Sequence, residues 1–191
     1  MLQKLKECGI EFIEKGEKII VDGSKEKKPI DIKTMPYPGF PTDMQSVFAS
    51  MLTIAKGTSI IVENISENRY KYTQELNKMG ANITAQGKSA VFEGVDFLSG
   101  APVYASDLRA GAALIIAGII ANGETDLYNL DHIDRGYECI EEKFRKLGAN
   151  ITRVNEAAGC ERVKIVTPDG PANYIRQFVN QLDEEEYEMF Y

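Results

Sequence analysis

Two aspartates and three arginines stand at predicted loop–helix junctions, where their side chains could act on an anionic ligand. Asp43 and Asp107 each open an apolar helix, and Arg109 follows Asp107 within the same turn. Arg69, in ENRY, and Arg135, in HIDRGYE, occupy equivalent positions before two amphipathic helices. Helix N-termini attract anions, and guanidinium groups bind carboxylate and phosphate bidentately. The pattern therefore predicts that Arg69, Arg109 and Arg135 converge on one anionic ligand, which would carry carboxylate or phosphate.

Each of these residues also has a purely structural interpretation. Aspartate is favoured in the first turn of a helix, so Asp43 and Asp107 could be ordinary helix-start acids, with Thr42 and Ser106 as the caps. An exposed arginine commonly forms a weak pair with a nearby glutamate. Arg109 is harder to explain in this way, because its positive charge opposes the helix dipole at an N-terminus.

Other kinds of chemistry find little support in the sequence. His132 is the only histidine and is predicted to be a polar loop residue, and no nucleophile elbow, P-loop or dinucleotide-binding loop is present. The acidic run at 183–188 is typical of a solvated face rather than a metal site. We therefore expect neither a cofactor nor a bound metal.

Charge and cysteine content narrow the class of protein. The net charge of −7 argues against binding to nucleic acid or to an anionic membrane surface. Cys8, Cys139 and Cys160 are far apart and lie in no metal-binding spacing, which predicts reduced thiols and a cytoplasmic protein.

A repeat organises the elements that must position these residues. Three charged amphipathic helices each end at a glycine and are followed by a strand; the glycines are Gly9, Gly80 and Gly148. An interleaved pattern relates segment 42–62 to segment 106–127, each an apolar helix followed by a glycine and a strand. Together these patterns predict about two and a half copies of a unit that reads strand, apolar helix, strand, amphipathic helix, hairpin.

The helix at 107–121 indicates how the units are arranged. It is apolar on nearly every face, which predicts burial on all sides, and it is too short and too charged at its start to span a membrane. A fold that buries whole helices while its strands alternate has helices inside and sheets outside, closed around an axis. Because the chain starts within a unit, we expect further sequence before Met1.

Five motifs, in order, carry a family resemblance. PYPGFPTDMQ, ENRY, SDLRAGAALIIAG, HIDRGYE and EEKFRKLGANITRV together resemble the C-terminal part of the UDP-N-acetylglucosamine 1-carboxyvinyltransferases, the enolpyruvyl transferases of peptidoglycan synthesis. The resemblance covers residues 1–154. It implies an inside-out α/β barrel of repeated βαβαββ units, here incomplete, and a substrate cleft between this domain and a second one.

The resemblance also implies a reaction and a set of roles. Enolpyruvyl would pass from phosphoenolpyruvate to the 3′-hydroxyl of UDP-N-acetylglucosamine. Asp43 would contact that hydroxyl as the base, and Ile65 would bind the UDP-sugar. Arg109 and Arg135 would hold the phosphoenolpyruvate anion. Asp107 and Arg69 would line the cleft.

The chain departs from the family pattern in two respects. A Lys-Asn pair, further arginines and a mobile-loop cysteine that donates a proton belong to the family's other domain, and none of these is in this sequence. Residues 1–155 are therefore predicted to be a partial C-terminal domain. Residues 156–191 form an unrecognised acidic tail, in which a strand at 161–167 and a helix at 171–182 are predicted.

Three hypotheses remain open at this point. The chain could be a partial enolpyruvyl transferase that is inactive alone, or one half of an enzyme completed by a separately encoded N-terminal half. It could instead be a non-catalytic domain that binds UDP-sugar or phosphate and acts as a regulator or scaffold.

Overall fold

The computed structural model describes residues 1–15, 18–155 and 161–168. The described chain begins with one helix and one antiparallel hairpin, namely α1 (Leu2–Glu7), β1 (Glu11–Lys15) and β2 (Lys18–Asp22). The helix predicted at 171–182 lies outside the described residues.

Two units follow the first hairpin, and the second repeats the order of the first with one additional strand and one additional short helix. The first unit consists of β3 (Ile32–Lys33), α2 (Gln45–Leu52), β4 (Thr58–Val62), α3 (Tyr72–Lys78), β5 (Asn82–Gln86) and β6 (Ser89–Glu93). The second consists of β7 (Leu98–Ser99), β8 (Pro102–Tyr104), α4 (Leu108–Ile120), β9 (Ala121–Tyr128), α5 (Asp131–Asp134), α6 (Ile140–Lys146), β10 (Ile151–Asn155) and β11 (Glu161–Thr167). His132, predicted to lie in a loop, is instead in the one-turn helix α5.

The two units pair their strands in the same way. In the first, the sheet order is β3-β4-β6-β5, with β3 parallel to β4 and the other neighbours antiparallel. In the second, the order is β10-β11-β9, and β7 and β8 both lie parallel to β9. Each parallel pair needs a crossover connection, which the apolar helix provides. The chain thus has an α/β fold, and its repeat of βαβαββ units matches the one predicted from the sequence.

The glycines that define the repeat end its amphipathic helices. Gly9, Gly80 and Gly148 follow α1, α3 and α6, with φ angles of +89°, +89° and +92°. This left-handed conformation is the one that glycine adopts most readily after a helix. The predicted helix ends are therefore confirmed at all three positions.

Helix α4 lies in the interior, as its composition predicts. Its residues 110–115, 117 and 118 are buried, and it packs against α2, β9 and β11. A β-carbon at Gly118 would lie 2.7 Å from Ile165 Cδ1, so the missing side chain lets α4 approach β11 closely. Among the described residues the sheets are open, and their closure around an axis stays a prediction.

Two serines of α2 fix its register against α4. Ser46 Oγ donates to the Arg109 carbonyl at 3.0 Å, and Ser50 Oγ donates to the Ala113 carbonyl at 2.7 Å. Because both partners advance by one turn in the same direction, the two helices run parallel. Their N-termini therefore lie at the same end of the molecule.

Strand β11 corresponds to the strand predicted at 161–167. It lies between β10 and β9 and pairs antiparallel with both. It therefore completes the hairpin of the second unit. Whether residues 156–191 form a unit of their own stays a prediction.

Replacing Ser50 by alanine should destabilise the chain, because the serine links the two buried helices. We expect the free energy of unfolding to fall by about 1 kcal/mol, the usual net worth of one hydrogen bond. Urea unfolding followed by circular dichroism would measure it. Ser99→Ala, at the exposed position of β7, is the control and should change stability by less than ~0.5 kcal/mol. Equal losses in the two variants would contradict the proposed link.

Candidate active site

The proline-rich segment before Asp43 forms a turn that a backbone hydrogen bond closes. The Met35 N–H donates to the Phe40 carbonyl at 3.0 Å, and the Tyr37–Pro38 peptide is cis. A β-carbon at Gly39 would lie 2.5 Å from Met35 Cβ, so only glycine fits there. Phe40 is buried and meets the Phe48 ring edge-on, with 4.9 Å between centroids. The aromatic contact fixes the end of the turn to helix α2.

Asp43 lies on a single 3-10 turn, Thr42–Met44, directly before α2. The prediction that Thr42 caps this helix is wrong, because its hydroxyl donates to Glu63 Oε2 at 2.9 Å. Met44 occupies the N-cap position of α2 and provides no side-chain cap. The threonine side chain thus bonds to the buried glutamate and accepts no hydrogen bond from the helix end.

Asp107, rather than the predicted Ser106, caps helix α4. Its backbone is extended, and its Oδ1 accepts from the N–H groups of Arg109 and Ala110, both at 3.0 Å. The Ser106 hydroxyl donates to the other carboxylate oxygen at 3.2 Å. Asp107 is therefore a helix-start acid, and its contact with a substrate stays a prediction.

The Asp43 carboxylate lies between two of the predicted arginines. Arg109 Nε donates directly to Asp43 Oδ1, and Arg69 Nη2 lies 4.0 Å from the same oxygen. The side chain of Asp43 is 58% exposed, whereas that of Arg69 is only 15% exposed. Within the part of the chain that the structure describes, Arg69 Nε is buried without an acceptor. Asp43, Arg69 and Arg109 thus form a cluster in which an accessible carboxylate lies beside two guanidinium groups.

The arginines control the protonation of Asp43. The hydrogen bond from Arg109 lowers the pKa of this carboxyl below its ordinary value, although partial burial acts in the opposite direction. The charges of Arg109 and Arg69 add to the lowering. Asp43 is therefore ionised at neutral pH. For the same reason the pKa of Arg109 is raised, chiefly by its hydrogen bond to Asp43.

Arg135 ends helix α5 beside the start of α4. Ile133 of α5 packs against α4 at Gly111, where a β-carbon would lie 2.4 Å from Ile133 Cγ1, and Gly136 lies against Leu108. The Arg135 side chain is exposed and makes no hydrogen bond or ion pair with the described residues. The structure therefore brings its backbone to the same end of α4 as Arg109, without direct contact with Asp43.

Ile65 lies at the mouth of a cavity beside the arginine cluster. The cavity has a volume of about 310 Å³ and is lined by residues 63–70 with Gly87 and Lys88. Ile65 is largely exposed, and its N–H donates to Glu63 Oε1 at 2.8 Å. Arg69 lines the same cavity, so two residues predicted from different motif positions share one concave surface.

Glu63 is the residue that sequence reasoning missed. Its carboxylate is buried and contacts both the Asp43 turn and the loop that carries Ile65. A signal was available, because Ser59 and Ile61 of β4 point inward and Glu63 continues that alternation. A charged residue at an inward-facing position usually has a specific set of partners.

Among the described residues, no group of three or more His, Cys, Asp or Glu side chains could hold a metal ion. Cys8 is buried, Cys139 is exposed, and Cys160 lies outside the described ranges. Over the same ranges, none of the helices has the length and apolar character needed to cross a bilayer.

Comparison with known proteins places this chain in a family. The family model described as EPSP synthase (3-phosphoshikimate 1-carboxyvinyltransferase) matches residues 1–144. The chain belongs to this family. EPSP synthase family members are enolpyruvyl transferases, so the resemblance predicted from the motifs is confirmed.

Relatives within the EPSP synthase family are similar over most of this chain. UDP-N-acetylglucosamine 1-carboxyvinyltransferase 1 of Clostridium perfringens (strain 13 / Type A) is 57% identical over 157 residues, which are 81% of this chain and 37% of that protein. The UDP-N-acetylglucosamine 1-carboxyvinyltransferase of Desulfofundulus thermocisternus is 55% identical over 153 residues, which are 80% of this chain and 63% of that protein. The chain thus spans little more than a third of the first relative and under two thirds of the second.

A solved structure supports the fold independently. The enolpyruvyl transferase NikO from Streptomyces tendae superposes with a TM-score of 0.70 at 24% sequence identity. The match covers 87% of this chain and 36% of that one. At this identity the likeness concerns the fold of the EPSP synthase family.

The position of Asp43 between two arginines makes its pKa a direct test of the site. In a ¹³C NMR titration we expect a pKa below the ordinary ~3.9 of aspartate. Arg109→Gln should raise it, because the hydrogen bond and the nearest charge are both lost. A group with a lowered folded-state pKa stabilises the fold above its unfolded-state pKa, and this contribution disappears as the pH falls through the folded-state pKa.

The matched control is Lys146→Gln, which also removes one positive charge but lies on helix α6. It should leave the Asp43 titration unchanged. A shift of equal size in both variants would mean that net charge, rather than the ion pair, sets the pKa.

Proposed function

We propose that this chain forms the C-terminal wall of an active site that transfers enolpyruvyl from phosphoenolpyruvate to the 3′-hydroxyl of UDP-N-acetylglucosamine. The observation that carries this proposal is the accessible Asp43 carboxylate held between Arg69 and Arg109. The names of relatives that are 55% and 57% identical support the choice of substrates. The pathway would be peptidoglycan synthesis in the cytoplasm.

The cluster supplies two functions that this reaction requires. Asp43 takes the proton of the sugar 3′-hydroxyl while the oxygen of that hydroxyl bonds to C2 of phosphoenolpyruvate. A donor outside this chain protonates C3. Loss of phosphate and of a C3 proton then yields the enolpyruvyl ether. A base must first be within hydrogen-bond reach of its proton, which the fixed Asp43 turn favours. Arg109 and Arg135 stabilise the carboxylate and phosphate charges of phosphoenolpyruvate.

The pairing of Asp43 with Arg109 is compatible with this role. An ionised carboxylate can accept a proton, but its lowered pKa makes it a weak base while the ion pair lasts. An anionic substrate bound to Arg109 would compete for that guanidinium and leave Asp43 freer to accept the hydroxyl proton. The 310 Å³ cavity lined by Ile65 and Arg69 provides a surface next to the base on which the sugar nucleotide binds. Asp107 lines the substrate cleft.

The remaining wall comes from a second domain, either in the same polypeptide or as a separately encoded N-terminal half. Further residues of this chain's own domain would complete its inside-out barrel, for which the buried helices α2 and α4 and the repeated open sheets provide the framework. Turnover requires both parts, and we expect the chain alone to be inactive.

Asp43→Ala should lower turnover by at least ~10²-fold, the range expected for a positioned acid–base group. Phosphate release from phosphoenolpyruvate and UDP-N-acetylglucosamine would be measured with the chain combined with the N-terminal part of a close relative. Asp96→Ala, at an exposed position outside the cluster, is the matched control. Unchanged turnover in Asp43→Ala would leave Asp43 as a helix-start acid only.

Arg109→Lys should impair the handling of phosphoenolpyruvate more than the stability of the fold. Lysine keeps the charge but loses the planar fork that binds an anion bidentately. We expect the KM for phosphoenolpyruvate to rise by ~10-fold or more, while the urea midpoint changes little. A KM like that of the wild type, with a lower urea midpoint, would show that Arg109 is structural.

A further inference from the structure

The carboxylate of Glu63 accepts four hydrogen bonds although it is only 2% exposed. Its Oε1 accepts from the Thr34 hydroxyl at 2.8 Å and from the N–H groups of Ile65 and Ser66 at 2.8 and 2.9 Å. Its Oε2 accepts from the Thr42 hydroxyl at 2.9 Å. All four donors come from loops at one end of the first unit.

These bonds join the two loops that meet at the arginine cluster. Thr42 immediately precedes Asp43, so the Oε2 bond holds the turn that carries the carboxylate. Ser66 follows Ile65, and its hydroxyl accepts from Arg69 Nη2 at 2.8 Å. One side chain at the end of β4 therefore connects the Asp43 turn to the Ile65–Arg69 loop.

Glu63 can serve this purpose because it stays charged. Burial raises the pKa of its carboxyl, but the bonds from Ser66, Thr34, Ile65 and Thr42 outweigh burial, and the pKa is lowered overall. An ionised carboxylate accepts hydrogen bonds at both oxygens, and charge-assisted bonds are shorter and stronger than neutral ones. The connection between the loops is thus stiff at neutral pH.

We propose that Glu63 is a positioning residue, which sets the distance between the Asp43 carboxylate and the sugar-binding loop 65–69. This inference rests on the proposed function, in which Asp43 must meet a hydroxyl of a sugar bound against that loop. Misplacing a reacting group by about 1 Å can cost ~10²-fold in rate. Glu63 contacts no reacting atom and acts through Thr42 and Ser66.

Thr42 offers the sharpest test, because its hydroxyl can be removed and restored. That hydroxyl donates to Glu63 Oε2 at 2.9 Å and also lies 3.3 Å from Ser66 Oγ. Thr42→Val keeps the shape of the side chain but removes the donor to Oε2, whereas Thr42→Ser retains it. In the reconstituted enzyme, Thr42→Val should lower kcat by ~10-fold or more with little change in the KM for phosphoenolpyruvate. Thr42→Ser should recover kcat to within ~3-fold of the wild type, because the hydroxyl is again held by a charged acceptor.

Two controls separate positioning from stability. Asn77→Ala removes two hydrogen bonds between the end of α3 and Ile83 of β5, so it should destabilise the fold without lowering kcat. Glu63→Gln keeps the shape but not the charge, and should reduce kcat as Thr42→Val does. If kcat followed the urea midpoint across all four variants, Glu63 would be a structural residue and the inference would be overturned.

A second readout does not need turnover. Loosening the Asp43 turn in Thr42→Val should weaken its pairing with Arg109 and raise the pKa of Asp43 in a ¹³C NMR titration, while Thr42→Ser should leave it unchanged. The same pKa in both variants would overturn the positioning role. If the wild-type enzyme instead showed no turnover while the pKa moved as expected, the proposed function would fail and the link through Glu63 would stand.

Discussion

The arrangement of this site depends on a buried carboxylate that must be fully hydrogen-bonded. Removing Glu63 from water is costly, and the cost is recovered only if every acceptor lone pair finds a donor. The donors available are the backbone of the 65–66 loop and the hydroxyls of Thr34 and Thr42. These segments are therefore held in one arrangement, and the residues beside them, the accessible Asp43 and the largely buried Arg69, are held with them.

The second constraint is the parallel packing of the two buried helices. Ser46 and Ser50 bond to successive turns of α4, so the starts of α2 and α4 meet at one end of the molecule. The first unit contributes Asp43 and Arg69 at this end, and the second contributes Arg109. Neither unit holds the cluster alone, so the site belongs to the junction between them rather than to either repeat.

Much of the fold could be predicted because its signals are local. A glycine after a helix and the alternation of a strand can be recognised without knowing what lies nearby, which is why the ends at Gly9, Gly80 and Gly148 were predicted correctly. The predicted N-caps of α2 and α4 were wrong because they depend on neighbouring groups rather than on the local pattern. Thr42 donates to Glu63, 21 residues away, and Asp107 outcompetes Ser106 because its carboxylate accepts two N–H groups at once. The repeat predicted that Arg69, Arg109 and Arg135 converge; Arg109 and Arg69 do approach Asp43, whereas Arg135 does not contact it. Glu63 depends on partners that only folding brings together.

The correspondence between the units also bears on how such a site arises. Gln45 and Arg109 stand two residues after Asp43 and Asp107, at matching positions of the repeat. Gln45 is fully buried and accepts from the Tyr72 hydroxyl at 3.1 Å, while Arg109 reaches the carboxylate of the other unit. The difference between these paired side chains breaks the internal symmetry, so two like units contribute unequally to one site.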